Sequence, residues 1–163
     1  MAGPGTGVAP FRAFVQERVE QKLAGSEIGL TMLFFGCRSQ KEDLIYEEEW
    51  KEYGRLLGPV FRMVTAFSRE TSGKKVYVQD KIRQFGVDIS TLLADGAHFY
   101  VCRDALIAKE VSHLLESILA EQRSIPLAET AGVVKRMRTT SQYQEDAWSS
   151  KSEIVLKHGH EYG

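Results

Sequence analysis

Gly3-Pro4-Gly5-Thr6-Gly7 puts three glycines at alternating positions just ahead of Val8-Ala9-Pro10-Phe11-Arg12. Without Cβ atoms, one side of such a turn is bare main chain, and its N–H groups can close on a bulky anion that side chains would hold away. Pro10 fixes φ for a first helical turn, and Phe11, Phe14, Val15, Val19 and Leu23 recur at helical spacing. The turn is therefore expected to run into a helix whose N-terminal dipole favours negative charge, which is the arrangement of a phosphate cradle. A second cluster lies midway along the chain, where Ser68, Arg69, Lys75 and Tyr77 combine donors with fixed positive charge. An Arg fork and a Lys point charge suit a phosphate monoester, although a polar surface loop has the same composition. Each charge-assisted hydrogen bond contributes about 1.5–3 kcal/mol, so two or three distinguish a 2′-phosphorylated dinucleotide from its unphosphorylated relative by several powers of ten at most.

The elements that must position these residues read as alternating strands and helices. Residues 30–35 form a continuous apolar run of strand length, closed by Gly36-Cys37-Arg38-Ser39. Continuous rather than alternating apolarity predicts a strand covered on both faces, as in a parallel sheet. An acidic helix is expected over 42–53, with Tyr46 and Trp50 sharing a buried face. A strand follows over 61–67, then the polar loop 68–75, short helices over 77–84 and 89–93, and a strand over 97–102. Ile107, Val111, Leu114, Leu115, Ile118 and Leu119 make one apolar stripe of a long helix. A further helix starting at Pro126 buries Val133, Val134 and Met137 and leaves Lys135, Arg136 and Arg138 as a solvated basic face. Residues 143–148 read as a last short strand. Residues 1–149 make one domain, and 150–163 a polar, disordered tail.

This alternation defines an α/β domain with a parallel sheet, in which ligands bind beyond the carboxyl ends of the strands where strand order reverses. Four loop sets occupy that position: Gly3 to Thr6, Cys37-Arg38, Ser68-Arg69 with Lys75 to Gln79, and Cys102-Arg103-Asp104. A length of 163 residues with 43% hydrophobic content suits one domain with a real core. Net charge of −1 argues against a broad nucleic-acid footprint. The two cysteines, Cys37 and Cys102, fit a reduced intracellular protein better than a disulfide framework, and the four scattered histidines outline no metal site. His158-Gly159-His160 reads as solvated. No stretch has the length and apolarity of a membrane span, so the chain itself is expected in the cytoplasm.

These motifs, in order, carry a resemblance. Gly3 to Phe11, then Phe35-Gly36-Cys37-Arg38, Phe67-Ser68-Arg69-Glu70, Lys75-Val76-Tyr77-Val78-Gln79, Tyr100-Val101-Cys102, and Tyr143-Gln144-Glu145-Asp146-Ala147-Trp148-Ser149 resemble the C-terminal NADPH-binding part of diflavin reductases. The likeness is to the fungal NADPH–cytochrome P-450 reductase type and covers residues 3–149. It implies a Rossmann-like parallel sheet flanked by helices, of the ferredoxin–NADP reductase kind. It also implies that Gly5, Thr6 and Gly7 hold the pyrophosphate and that Arg38 lies near the adenosine half. Ser68, Arg69, Lys75, Tyr77 and Gln79 would grip the 2′-phosphate and adenine ribose, with Asp104 counted among the cofactor-binding residues. Cys102 and Asp146 would flank the nicotinamide where hydride leaves, and Trp148 would stack on the flavin. A buried small hydrophobe and a packing aromatic are the structural alternatives for Cys102 and Trp148.

The resemblance further implies NADPH as cofactor, with FAD and FMN held only by other domains of an intact parent enzyme. Those domains and a haem protein acceptor such as a cytochrome P-450 are the implied partners, and intact relatives are anchored to the endoplasmic reticulum facing the cytosol. A sulfite reductase flavoprotein, a nitric oxide synthase type enzyme and a degenerate non-catalytic fragment are the alternatives. Three departures stand out. Only Met1 and Ala2 precede the turn, so the family's first strand is largely missing and its neighbours are expected to lose ladder partners. Arg103 stands where the family has glycine, and the stretch at Leu106-Ile107 is one residue short. The chain also continues for 14 residues beyond Ser149. The chain alone is expected not to turn over.

Overall fold

The structure, a computed structural model, describes residues 1–70 and 75–148; the polar tail expected over 150–163 lies outside the described residues. A 3₁₀ turn at Gly5–Val8 leads into α1 (Ala9–Leu23), followed by β1 (Thr31–Cys37), α2 (Gln40–Asp43), α3 (Glu47–Leu57) and β2 (Phe61–Phe67). The second half comprises α4 (Val78–Gln84), α5 (Gly86–Ala94), β3 (Phe99–Asp104), α6 (Ala105–Arg123), α7 (Leu127–Thr139) and β4 (Tyr143–Trp148). β1 pairs with β2 and β3 with β4, both in parallel.

The chain start joins these two halves. Ala2 is fully buried and bridges Phe34 of β1 on one side and Val101 of β3 on the other. Its N–H donates to Tyr100 O at 2.8 Å and its carbonyl accepts from Cys102 N at 3.1 Å, while Gly3 N donates to Phe34 O at 3.0 Å. The neighbours therefore keep ladder partners at their carboxyl ends, where loss had been expected. A cavity of about 590 Å³ lies beside Met1, lined among others by Thr31, Met32, His98 and Tyr100.

Side-chain alternation explains the three layers. Met32 and Phe34 of β1, with Phe99 and Val101 of β3, face α4, α5, α6 and α7 in one buried cluster. Leu33 and Phe35, with Cys102, face α1 and α3 in the other, against Val8, Phe11, Val15, Trp50 and Leu57. The uninterrupted apolarity of β1 thus reports a strand covered twice. Sheet and helices together form an α/β fold with parallel strands, as expected.

Several local expectations change. The acidic helix is two pieces, because Tyr46 adopts a left-handed φ of 62° between them. Tyr46 stays exposed beneath the Arg12 guanidinium, 5.0 Å from its ring centre, while Trp50 alone is buried and donates Nε1–H to Ile45 O. On α1, Phe14 and Leu23 are exposed; Phe14 packs edge-on to Tyr100 at 5.4 Å. On α7, Lys135, Arg136 and Arg138 are exposed as expected, but Arg138 also donates to Ser112 Oγ and Glu145 Oε1 and lies over the Tyr143 ring. β3 begins two residues later than expected, since Gln142 Nε2 occupies the Ala97 carbonyl.

The Met1 side chain is half-buried, but its amine is enclosed and donates to Met32 O at 2.9 Å. Burial pushes that amine down to about 5 from its ordinary 8.0. Between those values the unfolded chain binds more protons, so stability rises with pH. Urea titrations are expected to show a gain from pH 5 to pH 8 of at most roughly 4 kcal/mol. Four strand-forming residues fused ahead of Met1, which turn the amine into an amide, should remove that component.

Candidate functional site

The position of the glycine turn follows from one contact. A Cβ on Gly7 would stand 1.9 Å from the Cys102 carbonyl oxygen, so only glycine lets the turn close on the end of β3. Gly36 plays a similar part on the other side, where an added Cβ would meet Val78 at 3.3 Å and Pro4 at 3.4 Å. Gly5 has φ +59°, the left-handed region, and faces open cavity except for the Arg103 guanidinium. Gly7 N donates to Pro4 O. The N–H groups of Gly5 and Thr6 meet no acceptor among the described residues, as the first amides of a helical segment do.

A cavity of about 720 Å³ opens there, beyond the carboxyl ends of β1, β2 and β3. Gly5 and Thr6 line it together with Arg38, Ser68, Tyr77 and Gln79. Its volume lies in the usual range of small-molecule sites. The two anion-binding stretches singled out in the sequence therefore share one space. Ser68 N is held by Cys37 O and Arg69 N by Arg38 O, which splices the loop after β2 to the end of β1. Gln79 Nε2 donates to Glu110 Oε2 at 2.8 Å, clamping α4 to α6 across the cavity floor. Tyr77 precedes α4, its N–H taken by Asp80, and half of its ring surface is free at the mouth.

Arg38 donates to Asp43 at 2.8 Å, and each raises the other's preference for charge: the hydrogen bond lifts the arginine and lowers the carboxyl from its ordinary value. The pair is largely exposed on the arginine side, so separating it costs little. Arg69 and Lys75 are exposed beside the cavity but not among its lining residues. Gly7 is spent on packing. Asp104 turns away, accepting Ile107 N–H at the start of α6 and the Arg103 Nε–H.

The expected reaction residues lie together on β3 and β4, where Cys102 pairs with Asp146 and Asp104 with Trp148 in register. Cys102 is buried, and its Sγ lies 3.7 Å from Asp146 Oδ2. Burial, then the Asp146 charge, push the thiol above its ordinary value, so it stays protonated near neutrality. Trp148 is 43% exposed at the end of β4. Glu42, Ile45, Ile107 and Glu110 also line the cavity. Sequence reasoning passed over them because their helices read as solvated faces or plain core.

A parallel sheet whose chain start enters its middle as a glycine turn, above a cavity at the strand ends, defines a nucleotide-binding α/β domain. Comparison with known proteins narrows the class: the oxidoreductase NAD-binding domain family matches residues 1–112, and the chain belongs to that family. It is 50% identical over 150 residues to the NADPH–cytochrome P450 reductase of Aspergillus fumigatus, covering 91% of this chain and 21% of that protein. The protein of the same name from Candida maltosa is 46% identical over 149 residues, covering 91% of this chain and 22% of its own length. The chain thus spans about a fifth of the curated relatives it matches.

The two glycines should separate cleanly in mutagenesis. Gly7→Ala collides with main chain, and urea denaturation is expected to show a loss of about 3 kcal/mol or more. Gly5→Ala should cost less, about 1–2 kcal/mol of left-handed strain, because an added Cβ would meet no main chain there, only the end of the Arg103 side chain.

Proposed function

We propose that this chain is the NADPH-binding module of a reductase, and that the intact protein passes hydride to FAD and electrons through FMN to a haem protein such as a cytochrome P-450. The observation that carries the reading is that the Gly5-Thr6 turn and Arg38, Ser68, Tyr77 and Gln79 line one and the same cavity. The name of the relatives, which match over nine-tenths of the chain, supports it independently.

On this reading the Gly5 and Thr6 amides take the diphosphate, at the head of the 3₁₀ turn and α1. The 2′-phosphate and adenine ribose fall to Ser68, Tyr77 and Gln79, with Arg38, Arg69 and Lys75 closing from the rim. Tyr77 presents a free ring for stacking on the base. The bound dihydronicotinamide supplies a hydride. Around it, Cys102 offers a neutral thiol that does not compete for hydride, and Asp146 offers a carboxylate that balances the positive charge of the oxidised ring. The Trp148 indole covers the flavin face contributed by a neighbouring domain, and that domain supplies the remaining partners of the parent.

Retention on 2′,5′-ADP resin with elution by NADP⁺ tests the placement. The wild-type chain is expected to bind without any flavin absorbance. Arg69→Ala with Lys75→Ala should weaken binding about 100-fold or more, the sum of two charge-assisted contacts. Undiminished retention of that double variant refutes the 2′-phosphate site.

A further inference from the structure

Arg103 is the one cation set directly against the glycine turn among the described residues. Its Nη1 donates to Pro4 O at 2.9 Å and its Nε to Asp104 Oδ2 at 2.9 Å. The same nitrogen, Nη1, stands 2.6 Å from where a Cβ on Gly5 would lie. Asp104 is itself held, since its other oxygen accepts from Ile107 N at 3.2 Å and caps α6. The guanidinium is thus tethered at both edges, and its side chain keeps 30% exposure, where it lines the cavity with Gly5 and Thr6.

Of the five N–H donors of a guanidinium, two are used by these bonds and three are left. Beside them stand the two turn amides, Gly5 and Thr6, that meet no acceptor among the described residues. Of the other carboxylates in the cavity wall, Asp43 is engaged with Arg38 and Glu110 with Gln79, whereas Glu42 on α2 has no hydrogen-bond partner among the described residues. A fixed planar cation beside bare amides is a bidentate anion site whose ordering cost has already been met.

We propose that Arg103 is a diphosphate ligand, its guanidinium completing the cradle of Gly5 and Thr6 amides and binding the bridging diphosphate of the dinucleotide. The inference rests on the nucleotide reading above but adds a contact blind to the 2′-phosphate. Arg103 therefore strengthens phosphorylated and unphosphorylated dinucleotides alike, and it contributes nothing to a ligand that lacks the diphosphate.

Calorimetric titration of the full chain with NADP⁺, NAD⁺ and 2′-AMP separates the possibilities. Arg103→Gln keeps a donor for Pro4 O and removes the charge; Arg103→Ala removes both. Each variant is expected to weaken NADP⁺ at least about tenfold and to leave 2′-AMP unchanged, and NAD⁺, where its affinity is measurable, should fall by the same factor as NADP⁺. NADP⁺ bound as tightly by Arg103→Gln as by the wild type, or more tightly, overturns the inference while the nucleotide site stands. A loss of 2′-AMP together with NADP⁺ in both variants assigns Arg103 to the fold and overturns it as well. A wild-type chain that binds none of the three ligands removes the inference and the nucleotide reading together.

Discussion

The approach of the Gly7 backbone to the Cys102 carbonyl is the constraint on which the rest of the structure depends. No residue with a side chain can make it, and it holds the turn at the boundary between the β1–β2 and β3–β4 pairs. Ala2 and Gly3 extend the same contact into ladder bonds with Phe34, Tyr100 and Cys102. Two strand pairs that share no direct ladder are thereby made into one sheet through a single bridging residue. The division of labour among the glycines follows. Gly7 is consumed by packing, and Gly5 and Thr6 keep their amides free because packing has already fixed them in place.

The cavity inherits an asymmetry from this arrangement. Its turn side is rigid, built on main chain and on buried neighbours such as Val8 and Phe11. Elsewhere the cavity is lined by side chains, of which Arg38 and Tyr77 are exposed and Ser68 and Gln79 half-buried. Charges there are screened and cheaply rearranged. Arg38 illustrates the point, because its pair with Asp43 is exposed on the arginine side and screened by solvent. Electrostatic selectivity there comes from several small contacts, whereas position comes from the turn.

Legibility in the sequence divides along the same line. Strand-forming residues bounded by turn residues located β2 and β4 to the residue, although β4 buries only Tyr143 and β2 only Phe61 and Ala66. The glycine turn was legible from residue type in the same way. What escaped were features set by single tertiary contacts. Tyr46 reverses φ in what reads as one acidic helix, and Phe14 looks like core by spacing but finds Tyr100 at the surface instead. Arg138 is exposed as its spacing says, but its contacts with Ser112, Glu145 and Tyr143 could not be read from spacing. Composition cannot say whether Gly7 or Gly5 is the packing glycine, nor that Arg103 folds back on Pro4 O. Both depend on which strand lies next to the turn.

The two ends of the site are unequally complete. Around Gly5, Thr6 and Ser68 the chain supplies the lining of its own cavity. Around Cys102, Asp146 and Trp148 the described residues supply one wall: the thiol is buried, but Asp146 and the indole stand exposed along a strand that, among the described residues, is paired on a single side. A protonated thiol beside a carboxylate can shape a reaction, but an open face cannot keep water from it. On the proposed reading, the phosphate end can bind by itself, whereas the reacting end acquires its second wall from the flavin-bearing domain of the parent. An exposed 43% indole at that edge is then the surface on which the missing wall closes.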